Sequence, residues 1–323
     1  MICIGGTTAW EVYRASGRLL PQVLDRPRTS HVGACELPGA QILAEDMRRL
    51  GARSRPFHIM VEGRGQGSRR SDVRLHACTV PLSRRALIKL QPPYAIVSPE
   101  LLFIQLAAMS ELDEVDVALA GCEMCGTYVL DEDERAWDGL VNTDAPMTSV
   151  EKIGRMIDAS RGQHGVKRAR RALDLVRDRS NSPMETVLLA LFCFPRRLGG
   201  LGLGPVKMNR HVVTATRDRW VDLLFVDHMV GMEYKGKWAH SVERTARDDR
   251  RQNKLVGSGI KIINVWYEDL VDGHLFGQLV QDVVHAMKVR LRIRSEGFAG
   301  RQRVLRHRLL PTITRFGELR SRS

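Results

Sequence analysis

Two runs of strand-forming residues, Trp220–Val226 and Val230–Lys235, are separated only by a tight turn around Asp227-His228. A connection this short allows the two runs to pair only as an antiparallel hairpin. Ahead of them, Ser182-Pro183-Met184-Glu185 opens a helix, with Ser182 as its cap and Pro183 in its first turn. That helix runs into the apolar stretch Val187–Phe194, and Leu198–Pro205 reads as a glycine-rich mobile loop. Beyond the hairpin, Thr245–Leu255 predicts a helix, Ile260–Trp266 a β-branched strand and Leu275–Leu291 a closing helix. The order helix, hairpin, helix, strand, helix predicts a mixed α/β core.

The first half is built differently. Thr7–Ser16 and Ala40–Leu50 predict helices closed by Gly17 and Gly51. Phe57–Glu62, Val73–Thr79 and Ala86–Leu90 are short alternating runs, with the glycine-rich loop Gly63–Ser68 between the first two. No Lys-Ser or Lys-Thr follows that loop in a strand–loop–helix order, so it is not read as a phosphate cradle. Ser98-Pro99-Glu100 opens a further helix reaching Met109, and Ile153–Asp158 and Lys167–Asp178 predict two more. With 323 residues and roughly 150 per domain, the organisation expected is a small α+β domain over 1–145, a mixed-sheet domain over 146–287 and a basic helix or tail over 288–323.

Composition narrows the function classes. The longest apolar run, Val187–Phe194, is far shorter than the roughly 18 residues a membrane span needs. The first residues show no charged and cleavable leader, so no membrane partner and a cytoplasmic location are expected. Six cysteines scattered along a chain of this length fit a reducing compartment. Cys122 and Cys125 form a single CxxC pair with no second pair to complete a zinc site, and they read as small, partly buried thiols in a tight turn.

The net charge is +13, and residues 288–323 carry +9 of it, through eleven basic and two acidic residues. A second basic stretch spans Arg161–Arg179, and an acidic one lies at Asp131–Glu134. Basic clusters of this kind neutralise phosphates. DNA is therefore the expected partner, with Arg168, Arg171, Arg247, Arg250, Arg251, Arg290 and Arg294 as nucleic-acid-binding candidates. RNA is a weaker candidate, because aromatic residues make up only 6% of the chain and no aromatic-rich strand is present to stack bases.

The chemistry is carried by the hairpin. Asp222 lies on its first strand, and after ten intervening residues Glu233-Tyr234-Lys235 lies on its second. Glu233 and Lys235 are two apart and share a face. Two carboxylates and the Tyr234 carbonyl offer the hard oxygen ligands that Mg²⁺ (or Mn²⁺) takes while keeping open water positions. Such an ion polarises a phosphate and lowers the pKa of bound water. Lys235 is placed to orient or deprotonate a nucleophile, or to offset transition-state charge.

These residues resemble the PD-(D/E)XK nuclease superfamily, and within it the endonuclease-like domains related to very-short-patch-repair (Vsr) enzymes. The resemblance runs from Ser182 to about Asp269. It rests on Ser182 and Glu185, Asn209, Val221-Asp222, Glu233-Tyr234-Lys235-Gly236, His240, and Arg247, Asp249, Arg250, Asn253 and Leu255, followed by Gly259 and the strand Ile260–Trp266. It implies a restriction-endonuclease-like mixed sheet flanked by helices, so the expected fold class is α/β, or α+β for the whole chain. It also implies metal ligation by Asp222 and Glu233, a catalytic Lys235, an accessory acid in Glu185 and an acid/base in His240. Val221 stands where the superfamily motif has proline, and Lys235 stands where many relatives of this branch carry aspartate. Many nucleases of this class cut both strands as dimers, so a homodimer is an expected partner state. The layout of the first half is similar to AbiEi-type antitoxin and regulator proteins, which implies a DNA-facing head.

Each residue also has a plainer reading. Ser182 and Glu185 form a capping-box pattern, and Asp222 is a plausible turn residue. Glu233 and Lys235 fit a cross-strand charge pair. Arg247, Arg250 and Arg251 fit a solvated helix face, and His240 a surface histidine. Two functions follow: a Mg²⁺-dependent DNA endonuclease, or a non-catalytic DNA-binding regulator or antitoxin on a nuclease-like scaffold.

Overall fold

A strand of three residues, β1 (Ile2–Ile4), starts the chain and is wholly buried. The computed structural model describes residues 1–33, 36–63, 70–78, 81–130, 140–212, 219–235, 259–293 and 296–316. They divide into two compact units, 1–178 and 179–323. The boundary expected at 145 therefore falls inside the first unit, which is the larger of the two. The segment 288–323, expected to stand apart, belongs to the second unit.

In the first unit β1 is followed by α1 (Gly6–Ser16), α2 (Leu20–Leu24), β2 (Arg28–Thr29), α3 (Ala40–Arg49), β3 (Phe57–Glu62), β4 (Val73–Cys78), β5 (Leu87–Lys89) and β6 (Tyr94–Val97). The sheet order is β2-β5-β6-β1-β3-β4. β1 pairs parallel with β6 and antiparallel with β3, and β3 pairs parallel with β4, so the sheet is mixed. The helices α4 (Pro99–Ala108), α5 (Glu114–Met124), α6 (Val150–Ala159) and α7 (Val166–Leu173) pack with one another around α4. Ser98 caps α4 by accepting the Leu101 N–H, and almost every residue of that helix is buried. A helix apolar all round belongs at the centre of a packed unit. A minor hairpin pairs β7 (Tyr128–Leu130) with β8 (Leu140–Asn142).

The second unit opens with α8 (Pro183–Cys193), buried from Pro183 through Phe192. Its sheet comprises β9 (Val206–Val212), β10 (Arg219–Phe225), β11 (Val230–Tyr234) and β12 (Lys261–Val265), in the order β12-β11-β10-β9. β9, β10 and β11 form an antiparallel meander, and β12 lies parallel to β11. A parallel neighbour cannot be reached by a tight turn and needs a crossover, which the residues between Tyr234 and Lys261 provide. The helix expected over Thr245–Leu255 lies outside the described residues. Three helices follow: α9 (Tyr267–Val271), α10 (Gly273–Ala286) and α11 (Phe298–Phe316).

Two expectations change here. The closing helix is α11, not the run to Leu291. It buries Phe298, Leu305, Leu309, Ile313 and Phe316 along one side and packs on α8. Residues 198–205 are also not a free loop. A Cβ on Gly199 would lie 2.4 Å from the Arg301 carbonyl oxygen, and one on Gly200 would lie 2.2 Å from that of Phe194. Only glycine admits the helix backbone this closely.

Both units are thus mixed sheets with packed helices, the α+β class expected. Among the described residues, no helix is long and apolar enough to cross a membrane.

Candidate active site

The site is built on the meander and the first turn of α8. β10 pairs with β11 through Leu223↔Met232, Leu224↔Gly231 and Phe225↔Val230. Continuing that register by one position puts Glu233 beside Asp222. The Asp222 carboxylate accepts the Tyr234 backbone N–H at 2.7 Å, which ties the first strand to the second at this point. The Lys235 ammonium forms an ion pair with the Glu233 carboxylate. Lys235 donates its own backbone N–H to the Val265 carbonyl at 3.0 Å, so β12 holds the second strand from its other side.

Glu185 reaches the same place from α8. Ser182 caps the helix by accepting the Glu185 N–H at 3.2 Å, and its hydroxyl donates to the Glu185 carboxylate at 3.1 Å. The carboxylate also accepts the Asn181 N–H at 2.8 Å and the side-chain amide of Asn209. The cap and a fixed carboxylate therefore coexist. Asn209 lies ahead of β10, as its place in the motif suggested, and is itself part of β9. Its backbone is left-handed, with φ 42°, a conformation asparagine tolerates better than most residues. The flanking pairs Val221↔Arg210 and Leu223↔Met208 place it opposite Asp222. Its amide also donates to the Arg179 carbonyl at 2.8 Å. As a supporting residue it carried one sequence signal, an asparagine next to strand-forming neighbours.

The electrostatics are strained. Glu185, Asn209 and Glu233 are buried. Burial pushes the Glu185 carboxyl up to about 8, and the nearby Asp222 charge adds to the rise. Burial also pushes Asp222 up to about 6, Glu233 raises it further, and the Tyr234 N–H and the Lys235 charge work against the rise. Carboxylates that resist ionisation beside one another mark a place where a cation would be favoured. Asp222, Glu233 and the Tyr234 carbonyl are all-oxygen donors, as a hard divalent ion requires. Among the described residues, no three His, Cys, Asp or Glu side chains gather as a metal-binding group. A site of two carboxylates, one carbonyl and waters does not call for three.

The remaining candidates separate. His240, Arg247, Arg250, Arg251 and Arg294 lie outside the described residues. Arg168 is turned inward: its guanidinium donates to the Met109 carbonyl at 2.8 Å and to the Leu112 carbonyl, closing off the end of α4. Arg171 and Arg290 are exposed. Cys122 and Cys125 are fully buried at the end of α5, not partly buried in a tight turn, and burial raises both thiols.

No model of a known protein family, no curated protein and no solved structure matches the chain.

Proposed function

We propose that the chain is a Mg²⁺-dependent DNA endonuclease of the PD-(D/E)XK type, with its site in the second unit. The observation that carries this proposal is the convergence of Asp222, Glu233, Lys235 and Glu185 on one end of a three-stranded meander. A parallel fourth strand follows that meander. Asp222 and Glu233, with the Tyr234 carbonyl, would hold the ion, which when bound polarises the phosphate and lowers the pKa of a water. Lys235 stands at the rim of the carboxylates. There its ammonium would orient the attacking water and offset charge on the five-coordinate phosphorus. Glu185 and Asn209 hold the site from behind: three donors fix the Glu185 carboxyl, and Asn209 ties it to the strand opposite Asp222. The exposed arginines Arg171 and Arg290 fit phosphate contacts. A cytoplasmic location and a homodimer are part of the same proposal.

The test is incubation of the full chain with supercoiled plasmid in Mg²⁺, Mn²⁺ or EDTA, beside Lys235→Ala. Metal-dependent nicking that disappears in the variant, with its circular dichroism unchanged, is the expected result. Salt-sensitive DNA binding without cleavage under any metal would overturn the nuclease and leave a DNA-binding regulator.

A further inference from the structure

Trp220 is unusual for its setting. Among the described residues it is the one aromatic among the large exposed hydrophobic side chains, with 59% of its surface open. It lies on β10 two residues before Asp222, a spacing of about 7 Å along a strand. Its cross-strand partner is His211, whose ring centroid is 4.8 Å away at an interplanar angle of 40°. One face or edge of the indole is therefore braced by β9, while most of the ring remains open. Two exposed cations share β9 with His211: Arg210, the partner of Val221, and Lys207, the partner of Leu224.

We propose that Trp220, braced by His211, is a stacking platform for an unpaired base of single-stranded DNA, next to the phosphate held at Asp222 and Glu233. The proposal rests on the nuclease reading above and narrows its substrate to DNA that offers an unstacked base. An aromatic face flanked by basic side chains is the arrangement that binds single strands without reading their sequence. In an intact duplex each base already has both faces covered by its neighbours, so the indole has nothing to receive. A single strand, a flap or a gap presents a free face. The strand spacing then sets the distance between the stacked base and the reacting phosphate.

The experiment uses the full chain in EDTA, so that binding is read without cleavage. An eight-nucleotide oligothymidylate is titrated against wild type, Trp220→Phe, Trp220→Ala and Asp222→Ala, following tryptophan fluorescence and, separately, anisotropy of a labelled oligonucleotide. Quenching that is present in wild type and absent in Trp220→Phe is expected. Affinity should drop about tenfold in Trp220→Ala and less in Trp220→Phe, with Asp222→Ala still quenched. Binding to a blunt duplex should change by less than about twofold. Because Trp220 is exposed, melting temperatures within about 2 °C of wild type will show that the variants fold. Equal single-strand affinity in wild type and Trp220→Ala would overturn the platform, as would a tenfold preference for oligouridylate over oligothymidylate. Loss of plasmid nicking in Lys235→Ala would meanwhile leave the nuclease standing. Quenching by a protein that never cleaves would have the opposite meaning, retaining the platform and removing the catalyst.

Discussion

The two units bury acids in opposite ways. In the first, Glu123 receives both arms of the Arg14 guanidinium, at 2.9 and 2.8 Å, together with the Leu130 N–H at 3.0 Å. Glu100 accepts the Thr148 hydroxyl at 2.7 Å and has Arg28 at 3.7 Å. Each buried acid there meets an opposite charge from another element. In the second unit Glu185 feels the Asp222 charge, Asp222 feels that of Glu233, and the described cation paired with these acids is Lys235 on Glu233. A pair serving only the fold gains nothing from unmet charge, because an uncompensated buried ion costs several kcal/mol. A site that must seize a divalent cation gains from holding that charge open. The two units therefore differ in how their buried acids are compensated.

That contrast can be broken most directly by neutralising one acid from each unit. Asp222→Asn is expected to lower metal-dependent cleavage by about a thousandfold with no loss of stability. Glu123→Ala is expected to cost about 3 kcal/mol of stability, read by urea unfolding, with cleavage per folded molecule intact. Cleavage that survives Asp222→Asn would collapse the distinction.

The pH dependence sharpens it. Glu185 and Asp222 hold protons more tightly in the folded chain than in the unfolded one. The folded state therefore binds more protons across the window between the ordinary carboxylate range, near 4, and about 8. Through that window the second unit loses stability as pH rises. The melting temperature of Asp222→Asn minus that of wild type should be near zero at pH 4.5 and grow to several degrees at pH 8. Mg²⁺ should then shrink the gap by stabilising wild type alone. A difference that is flat with pH would mean the carboxylates are not competing for charge.

The smallest effect separates two arginines of α7. Arg168→Ala leaves two carbonyls without donors and should cost about 1–2 kcal/mol. Arg171→Ala should change stability by less than about 0.5 kcal/mol, and should show itself as a shallower salt dependence of DNA binding.

The sequence made the hairpin legible because its pairing is local: the tight turn from Asp227 to Met229 fixes which residues face which, and so brings Asp222 beside Glu233. The neighbouring β9 was invisible. Lys207, Asn209, Arg210 and His211 give it a polar surface reading, and its one informative departure, a buried asparagine in left-handed backbone, is a tertiary fact. β1 and β6 were missed for a different reason. Ile2–Ile4 is too short to show a period, and Tyr94–Val97 follows Pro92-Pro93, which reads as a turn. Both become central strands only through partners distant in the chain. In α11, arginine-rich composition and Pro311 masked the buried positions Leu305, Leu309, Ile313 and Phe316, which recur at helical spacing.

The seating of α11 on α8, with Gly199 and Gly200 beneath it, has a consequence for the order of events at synthesis. The chain is made from its N-terminus and domains form as their residues emerge, so the first unit has all its parts once residue 178 is out. The second cannot seal its interior until Phe316 has been added, although Asp222, Glu233 and Lys235 were made long before. A product interrupted before residue 298 would carry the candidate catalytic set without the wall that shelters α8.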